Sequence, residues 1–446
     1  MFTLYLLWVN RSYHIANTRP PTYDDAWYLE TSLHFYHRLT TEGLRAFLSA
    51  YASSFGTKAP LISALPLPFY LLFGTGLPTA MLVNSVFVVI TNIYLFLLAR
   101  RLFSAEVGVA AVVFYQTMPL AYGLSRSFFP DYGLAALVIA WFYYLVDSDR
   151  LTRGRANFLL GIVLGLGLLM KVLFPAFVAA PLLLALYAQR RQGTAPALES
   201  FWLWRIAARR PLAAILVPGL AIAATWYAFH LRAILTYAWQ GAYGEIGGQY
   251  GGGLTHWASL AVNRGVSFYY AAALLALGAA ALAAARGRLV LDSRAGLLAA
   301  WLLPALAAIA SGRNREVRFV IPLLPAMAIL LALAVFHLGR DRRLQVVLAV
   351  LLAVFPQRLY AALSYRPAHH LHSPETRVGP FVVFSRDLGW ARPPGEEGQW
   401  EQQRILESLR RIAPPSSRPR YVVVGDRKST RLNSSHIQKS RMPSSA

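Results

Sequence analysis

The sequence predicts an all-α, multi-pass membrane protein of about eleven transmembrane helices, followed by a truncated outer α/β domain. Three observations carry that prediction. Hydrophobic residues make up 56% of the 446 and charged residues only 14%, where a soluble domain carries about 25% charged. Mean hydropathy is +0.43. Apolar runs long enough to cross a bilayer, which takes roughly 20 helical residues, recur along the chain. The arginines gather in the short loops between those runs, the positive-inside pattern.

Taken in order, the runs lie at 2–9 (half a span), 79–99, 106–124, 131–147, 157–170, 172–188, 211–231, 268–285, 295–311, 319–338 and 345–363. If each is one pass, a single set of loops holds Arg100 and Arg101, then Arg150, Arg153 and Arg155. Further along come Arg190, Arg191, Arg205, Arg209 and Arg210, then Arg286, Arg288 and Arg294, then Arg340, Arg342 and Arg343. All fall on one side, which makes that side cytoplasmic. This explains the pI near 10.5 without nucleic acid. Asn157–Ala188 would measure about 48 Å as one helix, so it is read as two passes divided around Lys171 and Pro175. "PLISALPLPFYLLFG", residues 60–74, is short and has three prolines, and reads as interfacial or re-entrant. No internal repeat is visible, which weighs against an inverted-repeat transporter.

The membrane domain is expected over residues 1–365, with outer loops at 10–78 and 232–267, the second carrying the glycine-rich "GEIGGQYGGGL". A partial α/β domain is expected over 366–425, from "FVVF", "EQQRILESLRRI" and "RYVVVG". Residues 426–446 read as a translated sequencing adapter and are set aside, implying a natural chain that continues past Gly425. The half-span at the amino end likewise reads as a fragment edge. With no cysteine there is no disulfide framework and no thiolate metal site.

The charges that break the pattern are the candidate site. "TRPPTYDDAWYLE" sets Asp24 and Asp25 among Tyr23, Trp27 and Tyr28 in the first outer loop. Either acid could cap the helix that follows. Successive helical residues point in different directions, so one can cap while the other faces a site. Lys58 stands on the same outer face, as an interfacial anchor or a ligand. "SRSFFPDYG" places Arg126 and Asp131 at an outer turn, where an ion pair capping the helix is the plain explanation. Lys171 is the one charge within a long apolar run, functional unless it snorkels to the interface. "SGRNREVRF" puts Arg313, Arg315 and Arg318 on the outer side, where few cations belong, and a bound anion would account for them.

The ordered set of an acidic pair, "KAP", "RSFFPD", "LLMKVLF" and "RNREVRFVIPLLP" resembles the C-superfamily (GT-C) of membrane glycosyltransferases. Relatives within it include the protein O-mannosyltransferases and the lipid A aminoarabinose transferases. The resemblance runs over about residues 1–365 and implies a GT-C-like fold. It also implies a sugar donor on a polyprenyl phosphate, used on the outer side of the plasma (inner) membrane, and a lipid, glycan or protein acceptor. On it, Asp24 matches the catalytic acid position, with Asp25 where the family has Glu. Lys58, Asp131 and Lys171 fall on family positions, and Arg313–Arg318 on the region that holds carrier phosphate.

Chemistry alone asks for a base, assigned to Asp24, and for cations to meet phosphate charge. Lys58, Arg126, Lys171, Arg313, Arg315 and Arg318 are the candidates. Tyr23, Trp27 and Tyr28 would face a sugar, unless they are only an interfacial aromatic belt. Direct displacement would invert the anomeric centre. No cofactor is required; Asp24 and Asp25 could hold a divalent cation, but two adjacent acids are an incomplete ligand set. The rival reading is a transporter or flippase of lipid-linked glycans without transfer chemistry.

Overall fold

The structure, a computed structural model, describes residues 1–21, 23–192, 201–250, 253–284, 293–338, 341–365, 376–378, 381–384 and 388–395. Met1–Glu396 forms one compact unit, and the second unit, Glu397–Ala446, lies outside the described residues. So do the expected elements "EQQRILESLRRI" and "RYVVVG".

The chain opens with α1, Phe2–Ala16, which runs past the apolar half-span to its polar end. The segment expected as the first outer loop is itself helical: α2 (Tyr23–Thr41), α3 (Leu44–Ala52), α4 (Leu61–Ala64) and α5 (Leu67–Phe73). Prolines 60, 66 and 68 cut residues 60–74 into the last two, too short to cross a bilayer. The helix α6 (Leu77–Ala80) leads into α7 (Leu82–Leu102). Next, α8 (Ala105–Gln116) and α9 (Pro119–Ser125) meet at a 69° bend where Pro119 starts a new helix.

The next helix, α10 (Pro130–Asp147), is buried along nearly its whole length, and α11 (Gly154–Met170) ends at Lys171 before α12 (Phe174–Gln192) begins. The division expected near Lys171 is therefore present. The short α13 (Trp202–Arg209) precedes α14, which spans Pro211–Ala242 and takes in the first part of the segment expected as a loop from 232. Short helices α15 (Glu245–Gly248) and α16 (Leu254–Leu260) lead through a π-turn to α17 (Phe268–Ala284), bent by 96°. The bundle closes with α18 (Ser293–Ser311), a 3-10 turn over Val317–Leu323, α19 (Leu324–Leu338) and α20 (Arg342–Tyr365). The "FVVF" strand is found as β2 (Phe381–Phe384), paired antiparallel with β1 (Thr376–Val378).

Every apolar run is largely helical among the described residues, but the count of eleven spans is not confirmed. Among the described residues five helices are long and apolar enough to cross a membrane: Leu77–Leu102, Pro211–Ala242, Ser293–Ser311, Val317–Phe336 and Arg342–Ala361. Counting each bent pair as one span brings the number to seven. The physical reason lies in α10 and in the breaks. An acid at each end and a row of aromatics lower the hydropathy of α10, whose apolar faces meet protein on all sides.

Arginine-bearing loops do gather at one end. Arg101 Nη1 lies 2.6 Å and Arg153 Nη1 3.5 Å from Asp147 Oδ1, Arg342 pairs with Glu106 at 3.1 Å, and Arg294 sits 6.0 Å from the Phe103 ring centre. Asp131 marks the other end of α10, about 24 Å away at 1.5 Å per residue. The two ends of this one buried helix separate the arginine-rich face from the candidate site.

The frame beneath the site depends on close helix contact. Gly161 and Gly165 of α11 face α14, where an added Cβ would lie 2.4 Å from Ile215 O and 2.6 Å from Ile222 Cβ. Small residues four apart let two backbones approach, the usual membrane solution where burial from water cannot drive association. Gly161→Leu or Gly165→Val is expected to cost about 1–3 kcal/mol, measured as a lower unfolding temperature in detergent. Gly278→Ala, with open space around it, should leave it unchanged.

Candidate active site

Two ion pairs from four separate parts of the chain meet at the mouth of the bundle. The first turn of α2 presents Asp24, whose Oδ1 accepts a hydrogen bond from Lys58 Nζ at 2.5 Å. Arg318 Nη1 approaches its Oδ2 at 3.8 Å. In the second pair Lys171 Nζ donates to Asp131 Oδ1 at 2.5 Å. The ring of Phe319 joins them, with Lys171 Nζ 4.6 Å and the Arg318 guanidinium 5.7 Å from its centre. Phe129 faces Arg318 at 4.8 Å, and Trp27 and Tyr28 face Lys58 at 4.6 and 5.4 Å. Cations over aromatic faces gain back part of the hydration that burial removes.

Each side chain is set by its local fold. Lys171 ends α11 in an extended conformation, and the chain turns so that Phe174 N donates to Lys171 O at 3.0 Å. Lys58 sits on the turn after α3, where Phe55 and Gly56 take positive φ of 57° and 69°. That turn is tied to α14 by Trp226 Nε1 donating to Ser54 O at 3.1 Å and by His230 against Ala52 O at 2.7 Å. Arg318 lies in the 3-10 turn that opens the span Val317–Phe336.

Exposure separates the acids. The Asp24 side chain keeps 33% of its surface while Asp131 keeps 1%, so Asp24 is the carboxylate a substrate can reach. Burial raises the Asp24 pKa, but Lys58, then Arg318, outweigh it and leave the group below the usual carboxylate range. Burial also lowers the Lys58 pKa, against the pull of Asp24. Asp25 behaves oppositely: burial, then the Asp24 charge, hold its pKa well above the ordinary value, and its Oδ1 has no hydrogen-bond partner.

The other candidates fall elsewhere. Arg126 and Asp131 do not form the ion pair their turn suggests. Arg126 instead donates from Nε to Asn10 Oδ1 at 3.1 Å and from Nη2 to Ser364 Oγ at 2.5 Å. Of the three arginines near residue 315 only Arg318 reaches the acids. Arg313 is exposed with its backbone N donating to Ala242 O, and Arg315 Nε donates to Ala310 O. Tyr28 is buried at 6% between Phe55 and Phe129, while Trp27 stays 42% exposed. Tyr23 begins α2, its side chain outside the described residues.

Phe129 and Phe319, which wall the cations, went unread in the sequence; each stands beside a singled-out charge in "SFFPD" and "VRF". Among the described residues no three His, Cys, Asp or Glu side chains gather. Both Asp24 oxygens face cations, Lys58 and Arg318.

Lys171→Met leaves the Asp131 charge buried and unpaired and is expected to cost about 3 kcal/mol. Asp131→Asn in the same chain should recover most of that loss in thermal unfolding. For Asp25 the sign runs the other way. Its folded pKa lies above the unfolded 3.8, so stability falls as pH rises from there through the folded value. Asp25→Asn should therefore raise the unfolding temperature at pH about 8 and leave it nearly unchanged at pH about 4.

Residues 57–229 match the family model described as dolichyl-phosphate-mannose-protein mannosyltransferase. No curated protein sequence matches the chain. Among solved structures, ArnT from Cupriavidus metallidurans bound to undecaprenyl phosphate aligns at TM-score 0.58 and 17% identity, over 83% of this chain and 65% of that one. The same protein in its apo state aligns at 0.56 and 16%, over 82% and 64%. The Archaeoglobus fulgidus oligosaccharyltransferase aligns at 0.48 and 13%, over 95% of this chain and 61% of that one. This chain thus spans less than two thirds of ArnT's length. It shares the fold of ArnT.

Proposed function

We propose that the protein is an integral-membrane glycosyltransferase that moves a sugar from a polyprenyl-phosphate carrier to an acceptor outside the cytoplasm, on lipid A, a cell-envelope glycan or a protein. One observation carries the reading. Lys58, Lys171 and Arg318 converge at a helix mouth around Asp24, the one accessible carboxylate of the cluster. The match of residues 57–229 and the likeness to an ArnT bound to undecaprenyl phosphate support the donor class. The arginine-rich loops at the opposite end support an outer-facing site in the plasma membrane.

The reaction requires little of its base. As the bond from the sugar's anomeric carbon to the carrier phosphate oxygen lengthens, the sugar gains oxocarbenium character. The attacking acceptor hydroxyl becomes acidic only as its oxygen bonds to that carbon. Asp24 takes the proton, the electron pair of the broken bond leaves with the polyprenyl phosphate, and the anomeric centre inverts. A carboxylate of depressed pKa suits this late transfer and returns the proton readily to water.

Lys58 and Arg318, engaged with Asp24 in the free protein, are drawn toward the carrier phosphate when it docks. Lys171 reinforces them from the Asp131 side. Their charge meets the negative charge that grows on the leaving group, the interaction most worth placing in a water-poor site. Trp27, exposed beside Lys58, offers a face to the sugar.

Asp24→Asn should insert and fold normally and still bind undecaprenyl phosphate, yet lower transfer about 10²–10⁴-fold in a labelled carrier-lipid assay. Wild-type kcat/KM should show no acid limb between about pH 5 and 7, because Asp24 loses its charge only below 3.8. The alkaline limb should begin below 10.5, as Lys58 deprotonates. Retained turnover by the Asn variant would remove Asp24 from the chemistry.

A further inference from the structure

A second cleft adjoins the first turn of α2 and is lined by Arg126, a side chain the proposed chemistry leaves unused. It lies between the end of α1, residues 17–21, the α9 turn and residues 390–392. Tyr13, Arg19, Asp25, Arg126, Trp390 and Arg392 line it. Three of these are arginines and one is an acid.

The state of Arg126 is the informative feature. Its residue is 7% exposed, yet among the described residues no carboxylate pairs with it. Its polar partners, Asn10 and Ser364, are neutral, and Nη1 has none. The rings of Tyr13, Tyr360 and Tyr122 surround the guanidinium at 4.7, 4.9 and 5.5 Å. Aromatic faces return only part of the hydration that a buried charge loses. A fork of donors fixed by three rings and two hydrogen bonds is preorganised for a planar or tetrahedral anion.

Placement says what the anion belongs to. Asp24 and Asp25 are consecutive on a helix, so their side chains diverge: Asp24 faces the Lys58 and Arg318 cluster, while Asp25 lines the arginine cleft. The first turn of α2 is the shared wall. A group seated in the cleft therefore lies one residue from the proposed base, on the side away from the carrier cations.

We infer that this cleft is the acceptor subsite and that it takes a phosphate or carboxylate substituent on the acceptor, held by Arg126 with Arg19 and Arg392. The inference rests on the glycosyl-transfer reading for the word acceptor, and on the cleft alone for the anion. It narrows the acceptor to an anionic glycan or an anionic lipid headgroup. The substituent serves for recognition, and the reacting hydroxyl lies elsewhere on the same molecule.

The test uses the full chain in nanodiscs of zwitterionic lipid, with two kinds of titrant. Glucose 6-phosphate and dihexanoyl phosphatidate probe the cleft, as a soluble and a lipid source of the same anion, and undecaprenyl phosphate probes the carrier site. Arg126→Gln and Arg392→Gln should each weaken the favoured cleft probe about tenfold while leaving undecaprenyl phosphate affinity unchanged. Lys58→Gln should do the reverse. Arg392 is near the surface and hydrogen-bonds only its own turn among the described contacts, so its variant decides the matter if Arg126→Gln fails to fold. Cleft probes that bind no more weakly to Arg392→Gln, or that do not bind the wild type, overturn the inference. Failure of undecaprenyl phosphate alone to bind would instead overturn the carrier reading and leave the cleft result standing.

Discussion

A cation at the mouth of an apolar bundle must find negative charge or an aromatic face, because little water is left to solvate it. Lys58, Lys171 and Arg318 each find both. Three cations share two carboxylates, and the surplus of positive charge lies where Asp24 remains open to solvent. The surrounding structure serves that arrangement: the break after α11 that frees Lys171, the positive-φ turn that carries Lys58, and the 3-10 turn that aims Arg318. Aromatic rings are the natural walls for such a cluster. They can sit against a charge without neutralising it, so the charge stays free to meet a phosphate.

Much of this was legible in the sequence, for identifiable reasons. Lysine in the middle of a long apolar run has few physical explanations, and the parity of the arginine loops required a break there. The break is present at Lys171. Acids beside aromatics in an outer loop were equally conspicuous. What a one-dimensional reading could not supply was direction. Arg313, Arg315 and Arg318 crowd six residues and invite a single clamp, but the chain is non-helical from Gly312 to Glu316, extended at Glu316 with ψ at 130°, and turns helical only from Val317. Arg318 is therefore carried to Asp24 while Arg313 and Arg315 are left against the ends of α14 and α18.

The surroundings of Arg126, a residue the sequence did single out, eluded the reading for the same reason. Its partners, Asn10 and Ser364, lie 116 and 238 residues away, and nothing local distinguishes them from other polar residues at helix ends. The count of spans turns on a different property. The apolar run at 131–147 reads as a span, but α10 carries an acid near each end and a row of aromatics, is buried along nearly its whole length, and is not among the helices apolar enough to cross by composition.

That central helix has a mechanical consequence. Asp131 and Asp147 pin it at its two ends, the first to Lys171 and the second to Arg101 and Arg153. A strut clamped at both ends by charge has little freedom to tilt, so its length of about 27 Å fixes the separation of the protein's two polar rims. The surrounding lipid has to match that height, thinning or thickening at modest cost per ångström. For the lipid-phosphate donor proposed above, the depth of the headgroup would then depend on acyl chain length, and membrane thickness would bear on its encounter with the site.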